Sequence, residues 1–266
     1  MNKLIDRSIN IINSLYDERK DYILAFSGGK DSIVIYDLAK KTDLPIKFIH
    51  SNTTIDPPGH LNFIRKNYTD VQIINPKLSF YQLIEKKGLP TKHRRFCCSE
   101  LKENVGKNSK VIEGLRYDEG AKRGKRLKAL KEPEVCDYRI KGKIHVYPIL
   151  EWTEKNVWDY IKKENLSYPV DHYSKYKRLG CVGCPLANKS IRIQQYRQYP
   201  KYAQAIIKAI KTNIENGKNI SFLFNDEYRA FYWWLSEKSV LNFKSEMFQI
   251  SDYKQYLSDF FKYDFK

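Results

Sequence analysis

No apolar run in this 266-residue chain reaches the ~18 residues that a membrane-crossing helix needs. The N-terminal stretch MNKLIDRSINIINSLYDERKDY carries charges throughout and has no small-residue cleavage site. It reads as an amphipathic helix rather than a signal peptide. No membrane partner is expected, and the cytoplasm is the expected compartment. Cysteine is scarce, at 5 residues, and in that compartment structural disulfides are not expected. There is no internal repeat and no low-complexity linker. Acidic residues fall short of basic ones, 31 against 48, for a formal charge of +17.

What is present bounds the rest. Hydrophobic residues make up 42% and aromatics 14%, enough for a packed core and against wholesale disorder. The charge excess has several readings. It is a solvated Lys-rich surface, or it concentrates a polyanion. The polyanion would be a multiply phosphorylated nucleotide, an acidic protein or nucleic acid.

Strand and helix signals alternate. Helices are expected at 3–19, 31–40, 58–67, 79–87 and 153–163, with strands at 22–26, 46–50, 71–74, 110–115 and 144–147. The pattern predicts an α/β fold, a mostly parallel sheet with helices on both faces. From about 190 the strand signals stop. The organisation expected is an α/β domain over 1–190 and a helical, aromatic-rich extension over 190–266. Tyr232, Trp233 and Trp234 in that extension read as packing residues rather than base-stacking ones. The segment GAKRGKRLKALKEPE, 120–134, is dense in Lys and Arg and has little apolar periodicity.

The stretch YILAFSGGKDSIVIYDLAKK sets Ser27-Gly28-Gly29-Lys30-Asp31-Ser32 between a strand and a helix. Glycines let the backbone turn and bring N–H groups to an anion. The helix N-terminus adds partial positive charge. Ser27 and Ser32 offer hydroxyls, and Lys30 offers a cation. Asp31 is the odd member, because a carboxylate repels phosphate; a metal ion, a capping role or a sugar hydroxyl would explain it.

SGGKDS resembles the PP-loop of the adenine nucleotide alpha-hydrolase-like superfamily, and lacks the GxxxxGK[ST] spacing of the other common phosphate loop. The resemblance implies a Rossmann-like sheet with the nucleotide at the carboxyl ends of the strands. The end of the second strand, HSNTTIDPPGH, would then line the adenosine pocket with Asn52, Thr53 and Asp56. The alternative for these residues is turn chemistry, since Asp-Pro-Pro-Gly makes a turn by itself.

Cys97-Cys98 and Cys181-Val-Gly-Cys184 leave Cys136 as the remaining cysteine. Four thiolates suit tetrahedral zinc or a 4Fe-4S cluster. RRFCCSELK and GCVGCPL resemble the two cluster segments of the phosphoadenosine phosphosulfate (PAPS) reductase family. That resemblance implies a 4Fe-4S cluster, with zinc as the alternative. His93, Arg94, Arg95 and Lys102 flank the first pair, and Arg95 joins the expected nucleotide-binding residues. EGLRYDEGAKRGKR resembles the family's phosphate-contacting segment, with Arg116 and Arg123 in the matching places and Gly120 where a serine is common. The resemblance covers roughly 20–190.

One departure stands out. Sulfonucleotide reductases carry a nucleophilic cysteine in a Glu-Cys-Gly-Leu-His tail, and this chain has no cysteine after Cys184. Cys136, among Lys and Arg residues, is either the nucleophile or a spectator. The family reading is reduction of PAPS, preferred over adenylyl sulfate, with an anionic adenine nucleotide as substrate and a thiol or other reductant protein as partner. The alternative is an ATP pyrophosphatase serving sulfur insertion into nucleic acid, as in DNA phosphorothioation. A second copy of the chain is a further candidate partner.

Overall fold

A computed structural model describes residues 1–103, 106, 108–120, 125, 128, 135–136, 143–218, 220, 224–239, 242–243 and 250–266. Contacts divide the chain into two compact units that interleave in sequence. The first comprises Met1–Asn52, Pro58–Asn75 and Glu103–Leu179. The second comprises Thr53–Pro57, Pro76–Lys102 and Gly180–Lys266. Both cysteine segments fall in the second unit.

The first unit is built on a sheet of β1 (Tyr22–Ala25), β2 (Lys47–Ser51), β3 (Gln72–Ile74), β4 (Lys110–Ile112), β5 (Val135–Cys136) and β6 (Ile144–Val146). The spatial order is β3-β2-β1-β4-β6-β5. Five strands run parallel, and β5 pairs antiparallel with β6, Cys136 opposite His145. Tyr22, Ile23 and Leu24 are all buried, so both faces of β1 are covered. That is why β1 reads as an unbroken apolar run rather than an alternating one. The order reverses at β1. The chain steps outward through β2 and β3, then returns to β4 on the other flank. Open α/β sheets bind ligands at such a switch point, beyond the carboxyl ends of the strands.

The helix Lys30–Lys40 seals one side of β1. Its Ile33, Val34, Ile35 and Leu38 are fully buried in one core with Leu24, Ile112 and Val146. Each such side chain contributes about 1.5–3 kcal/mol by leaving water. The helix Asn2–Ser14 joins the same core through Ile12. Its buried Ser8 donates to the Pro148 carbonyl at 2.8 Å and accepts from Trp152 Nε1 at 3.1 Å. The predicted continuation to residue 19 is absent. Asp17 instead closes a local turn on the Arg19 amide at 3.1 Å. The predicted strand 110–115 likewise stops at Ile112.

The second unit is helical: Phe80–Lys87, Phe96–Leu101, Lys189–Gln198, Pro200–Glu215, Glu227–Ser236 and Tyr253–Phe261. Ser79 and Gln82 form a capping box, Pro200 opens its helix, and Asp226 and Asp252 cap theirs. Trp234 is buried and donates Nε1–H to the Pro90 carbonyl at 2.5 Å. Tyr232 and Trp233 pack against the same core. The aromatic run is therefore packing, as its helical spacing predicts. Among the described residues, no helix is long and apolar enough to cross a membrane.

Candidate functional site

The SGGKDS loop lies at the switch point of the sheet. Gly28 adopts φ +69°, and a Cβ there would come 2.5 Å from His60 Cε1. His60 shares a 2.9 Å hydrogen bond between Nε2 and the Ser27 carbonyl. His50 Nδ1 does the same with the Phe26 carbonyl, also at 2.9 Å. These bonds tether two carbonyls at the loop, and the Gly29 amide donates to Ser27 Oγ at 3.3 Å. Ser27 Oγ donates to Ser32 Oγ at 3.1 Å, and Ser32 Oγ to the Gly29 carbonyl at 2.8 Å. The hydroxyls thus brace the loop itself.

Lys30 is only 5% exposed. Its ammonium lies 3.6 Å from Asp31, 3.7 Å from Glu154 and 3.4 Å from the Lys177 carbonyl. Asp31 finds its explanation here: Arg116 Nε donates to its Oδ1 at 2.5 Å. The guanidinium also reaches Asp118 at 3.5 Å and the Trp152 carbonyl at 3.5 Å, and Arg116 is 3% exposed. Asp31 is therefore a counter-ion that fixes Arg116. Gly114 permits the approach, since a Cβ there would meet the Asp31 backbone at 2.9 Å.

Thr53 and Asp56 belong with the thiols. Asp56 Oδ2 accepts from the Thr53 amide at 3.1 Å, and Thr53 Oγ1 is 3.6 Å from Cys181 Sγ. Asn52 follows β2 in the first unit and donates to Asn75 Oδ1 at 2.8 Å. Asp56 thus makes a turn contact and also acts on the Lys102 ammonium, and Thr53 gains a thiol neighbour that its sequence position did not suggest.

Cys97 and Cys98 lie in the first turn of the short helix Phe96–Leu101. Cys181 and Cys184 flank a turn closed by the Cys184 amide on the Cys181 carbonyl at 3.3 Å. All four are free of disulfides. A hydrogen bond with Cys98, then burial, then the charges of Cys98, Cys181 and Cys184 push the Cys97 thiol up. Burial pushes the Cys181 thiol up, against the pull of Lys102. Lys102 is itself raised, chiefly by Cys181 and then by Asp56 and Cys98. Arg95 precedes this helix and is exposed. Gly183 takes φ +67°, and a Cβ there would sit 1.8 Å from the hydroxyl of fully buried Tyr196.

Arg123 lies outside the described residues. Cys136 is described by its backbone alone, in β5. His60, Glu154 and Tyr173 had no motif to announce them, whereas Lys102 closes the RRFCCSELK segment. His60 acts through a loop carbonyl, Tyr173 through a loop amide and Glu154 through the Lys30 ammonium, across long stretches of chain.

The family model described as the phosphoadenosine phosphosulfate reductase domain matches residues 21–187. An uncharacterized protein of Methanocaldococcus jannaschii is 29% identical over 223 residues, covering 79% of this chain and 53% of that protein. The chain thus spans about half the length of that curated relative. An adenosine 5'-phosphosulfate reductase of Bacillus anthracis is 27% identical over 192 residues, covering 67% of this chain and 82% of that one. Among solved structures, the phosphate complex of the PAPS reductase from Candida auris has a TM-score of 0.49 at 20% identity. It covers 68% of this chain and 93% of that one.

Proposed function

The chain belongs to the phosphoadenosine phosphosulfate reductase domain family, and on that premise we propose that it reduces a sulfonucleotide, releasing sulfite and the adenosine nucleotide. The observation that carries this reading is the gathering of four free thiols in one unit with the Lys102 ammonium. The thiols raise one another's resistance to ionisation. A cationic group among them removes that conflict, because a coordinating thiol is deprotonated outright.

Among the described residues, no three His, Cys, Asp or Glu donors close on a point as a single ion requires. The four thiols suit a 4Fe-4S cluster or zinc, and the likeness of RRFCCSELK and GCVGCPL to the family's cluster segments favours the cluster. A 4Fe-4S cluster places one thiolate on each of four irons, so its ligands stand further apart. Cys97, Cys98, Cys181 and Cys184 would hold it. When bound, the cluster would supply an iron–sulfur centre whose four thiolates the Lys102 ammonium helps to neutralise.

The chain's own residues do the rest. The loop amides and Lys30 hold the 5′-phosphosulfate, and Arg116 fixes the loop through Asp31. The Cys136 thiolate attacks the sulfur. An S–S bond forms, the S–O bond to phosphate breaks, and the nucleotide leaves with the bridging oxygen. A dithiol reductant then takes the sulfonate off as sulfite and becomes a disulfide. The named relative acts on adenylyl sulfate, whereas the +17 charge suits an added 3′-phosphate. Both share the 5′-phosphosulfate, which is the substrate group proposed.

One observation favours a second reading, pyrophosphate release from ATP in sulfur transfer to nucleic acid. The sheet order sets β5 three strands from β1, about 14 Å at the usual strand spacing. That is a long reach for Cys136 to a group held at the β1 loop. Mixing anaerobic protein with adenylyl sulfate and PAPS in turn, without reductant, tests the first reading. It expects a sulfonate adduct on Cys136 by peptide mass spectrometry. Full sulfite release by the Cys136→Ser protein would remove Cys136 from the mechanism.

A further inference from the structure

The helix Lys189–Gln198 begins just past the segment that the family model matches, and it turns polar side chains inward. Arg192, Gln195 and Tyr196 stand three and four residues apart, so they share one face. All three are buried, Arg192 to 1% exposure and Tyr196 to 0%. A helix ordinarily puts apolar residues on its buried face. Here the polar ones meet the frame of the two cysteine segments. Gln195 Oε1 accepts from the Gly183 amide at 2.8 Å, inside the Cys181–Cys184 turn. The Tyr196 hydroxyl fills the space beside Gly183 that a side chain would take, one residue before Cys184. Arg192 Nη1 donates to the Trp234 carbonyl at 3.2 Å and lies 3.4 Å from Glu237 Oε1. Glu237 in turn holds Lys92 at 2.6 Å, and Trp234 holds the Pro90 carbonyl, both on the approach to Cys97 and Cys98.

This face carries more donors than acceptors. Arg192 Nε, Arg192 Nη2 and the Tyr196 hydroxyl are buried with no hydrogen-bond partner among the described residues. Leaving such groups unmet is costly, most of all for a charged one. The two side chains cannot satisfy each other. A guanidinium only donates, so it can meet the phenol oxygen but never the phenol proton. Burial keeps that phenol protonated. The guanidinium is held in place by the Trp234 ring, whose centre lies 4.3 Å away. Donors of this kind beside a thiol turn match an acceptor with negative charge, and four thiolates gathered on a metal centre bring one.

We propose that Tyr196 and Arg192 are positioning residues of the metal centre: the phenol donates a hydrogen bond to the Cys184 thiolate, and the guanidinium backs it with a buried positive charge. The proposal rests on the reading that the four thiols hold a 4Fe-4S cluster. It gives the helices beyond the matched segment a task at that centre. A hydrogen bond to a ligating sulfur draws electron density from it and weakens its bond to iron, and such bonds are one of the protein's levers on a cluster.

Tyr196→Phe removes the hydroxyl and keeps the ring, which packs edge-on against Phe231 with centroids 5.4 Å apart. Resonance Raman spectra of anaerobically purified parent and variant read the iron–thiolate stretch. The variant should keep its iron, and the stretch should move to higher frequency. Release of iron to a chelator is the second readout. Arg192→Gln should release it about tenfold faster than the parent, the lower end of what losing an outer partner of a metal ligand costs. A parent protein that holds zinc, or no metal, removes the cluster reading and this proposal with it. An iron-loaded parent whose stretch is unmoved in Tyr196→Phe, or whose iron leaves Arg192→Gln no faster, keeps the cluster reading and overturns the proposal.

Discussion

Gly28 and Gly29 look interchangeable in SGGKDS, yet the structure separates them. Gly28 sits at φ +69°, where an L side chain is strained, and a Cβ would meet His60 Cε1 at 2.5 Å. Left-handed backbone costs an alanine about 1–2 kcal/mol. Moving the imidazole aside forfeits its 2.9 Å bond to the Ser27 carbonyl, about another 1 kcal/mol. Gly28→Ala should therefore lose about 2–3 kcal/mol, or roughly 5–10 °C in Tm for a chain of this size. Gly29 has φ −83°, open to any residue, and a Cβ there meets nothing closer than 3.4 Å. Gly29→Ala should be neutral or stabilising by up to about 1 kcal/mol, through the unfolded chain. Thermal unfolding followed by circular dichroism reads both. A Gly28→Ala protein that melts with the parent would refute the backing role of His60. So would a Gly29→Ala protein that melts earlier than Gly28→Ala.

Three other perturbations follow from the same geometry. Asp31→Ala leaves the buried Arg116 guanidinium without its counter-ion and should cost ~3 kcal/mol, more than Asp31→Ala with Arg116→Met together; denaturant unfolding that finds the double variant weaker than the single would contradict the pairing. Gly183→Ala drives a Cβ into Tyr196 and should lose iron loading with the Cys181–Cys184 turn, whereas full iron content would show the turn tolerates a side chain. Cys97 and Cys181 are held above the ordinary thiol range. Since the thiolate is the ligand, metal affinity of the apoprotein should rise from pH 7 to pH 9, and a flat profile would mean the thiols are already ionised. The sign for the metal-free fold is opposite: a raised thiol pKa favours the folded state below the ordinary thiol range, and that stability fades as pH rises through it.

Much of the first unit was legible because its signals are local. An apolar run with no alternation gave β1, and Ser-Gly-Gly punctuated the turn into Lys30–Lys40. The helix Phe96–Leu101 was not foreseen. Six residues, FCCSEL, carry too little periodicity to announce a helix. The two-residue strand Val135–Cys136 is shorter still, and only its pairing with β6 makes it a strand. Asp31 was visible as an anomaly, but its partner Arg116 is 85 residues away. Thr53 lies 128 residues from Cys181, so its place beside a thiol depends on the fold and not on spacing. His60 and Tyr173 were hidden for another reason. Each touches the loop through a backbone atom of another residue, and no motif records a carbonyl's or an amide's partner.

The central claim is the chemistry done on the nucleotide. Anaerobically purified protein should be given a dithiol reductant with PAPS or adenylyl sulfate in one set of vessels and ATP in another. Sulfite and pyrophosphate are then measured side by side. The account predicts sulfite from at least one phosphosulfate, at a rate that falls when Cys97, Cys98, Cys181 or Cys184 is changed to serine, and no pyrophosphate above background from ATP. Steady pyrophosphate release from ATP, with no sulfite from either phosphosulfate, would contradict it.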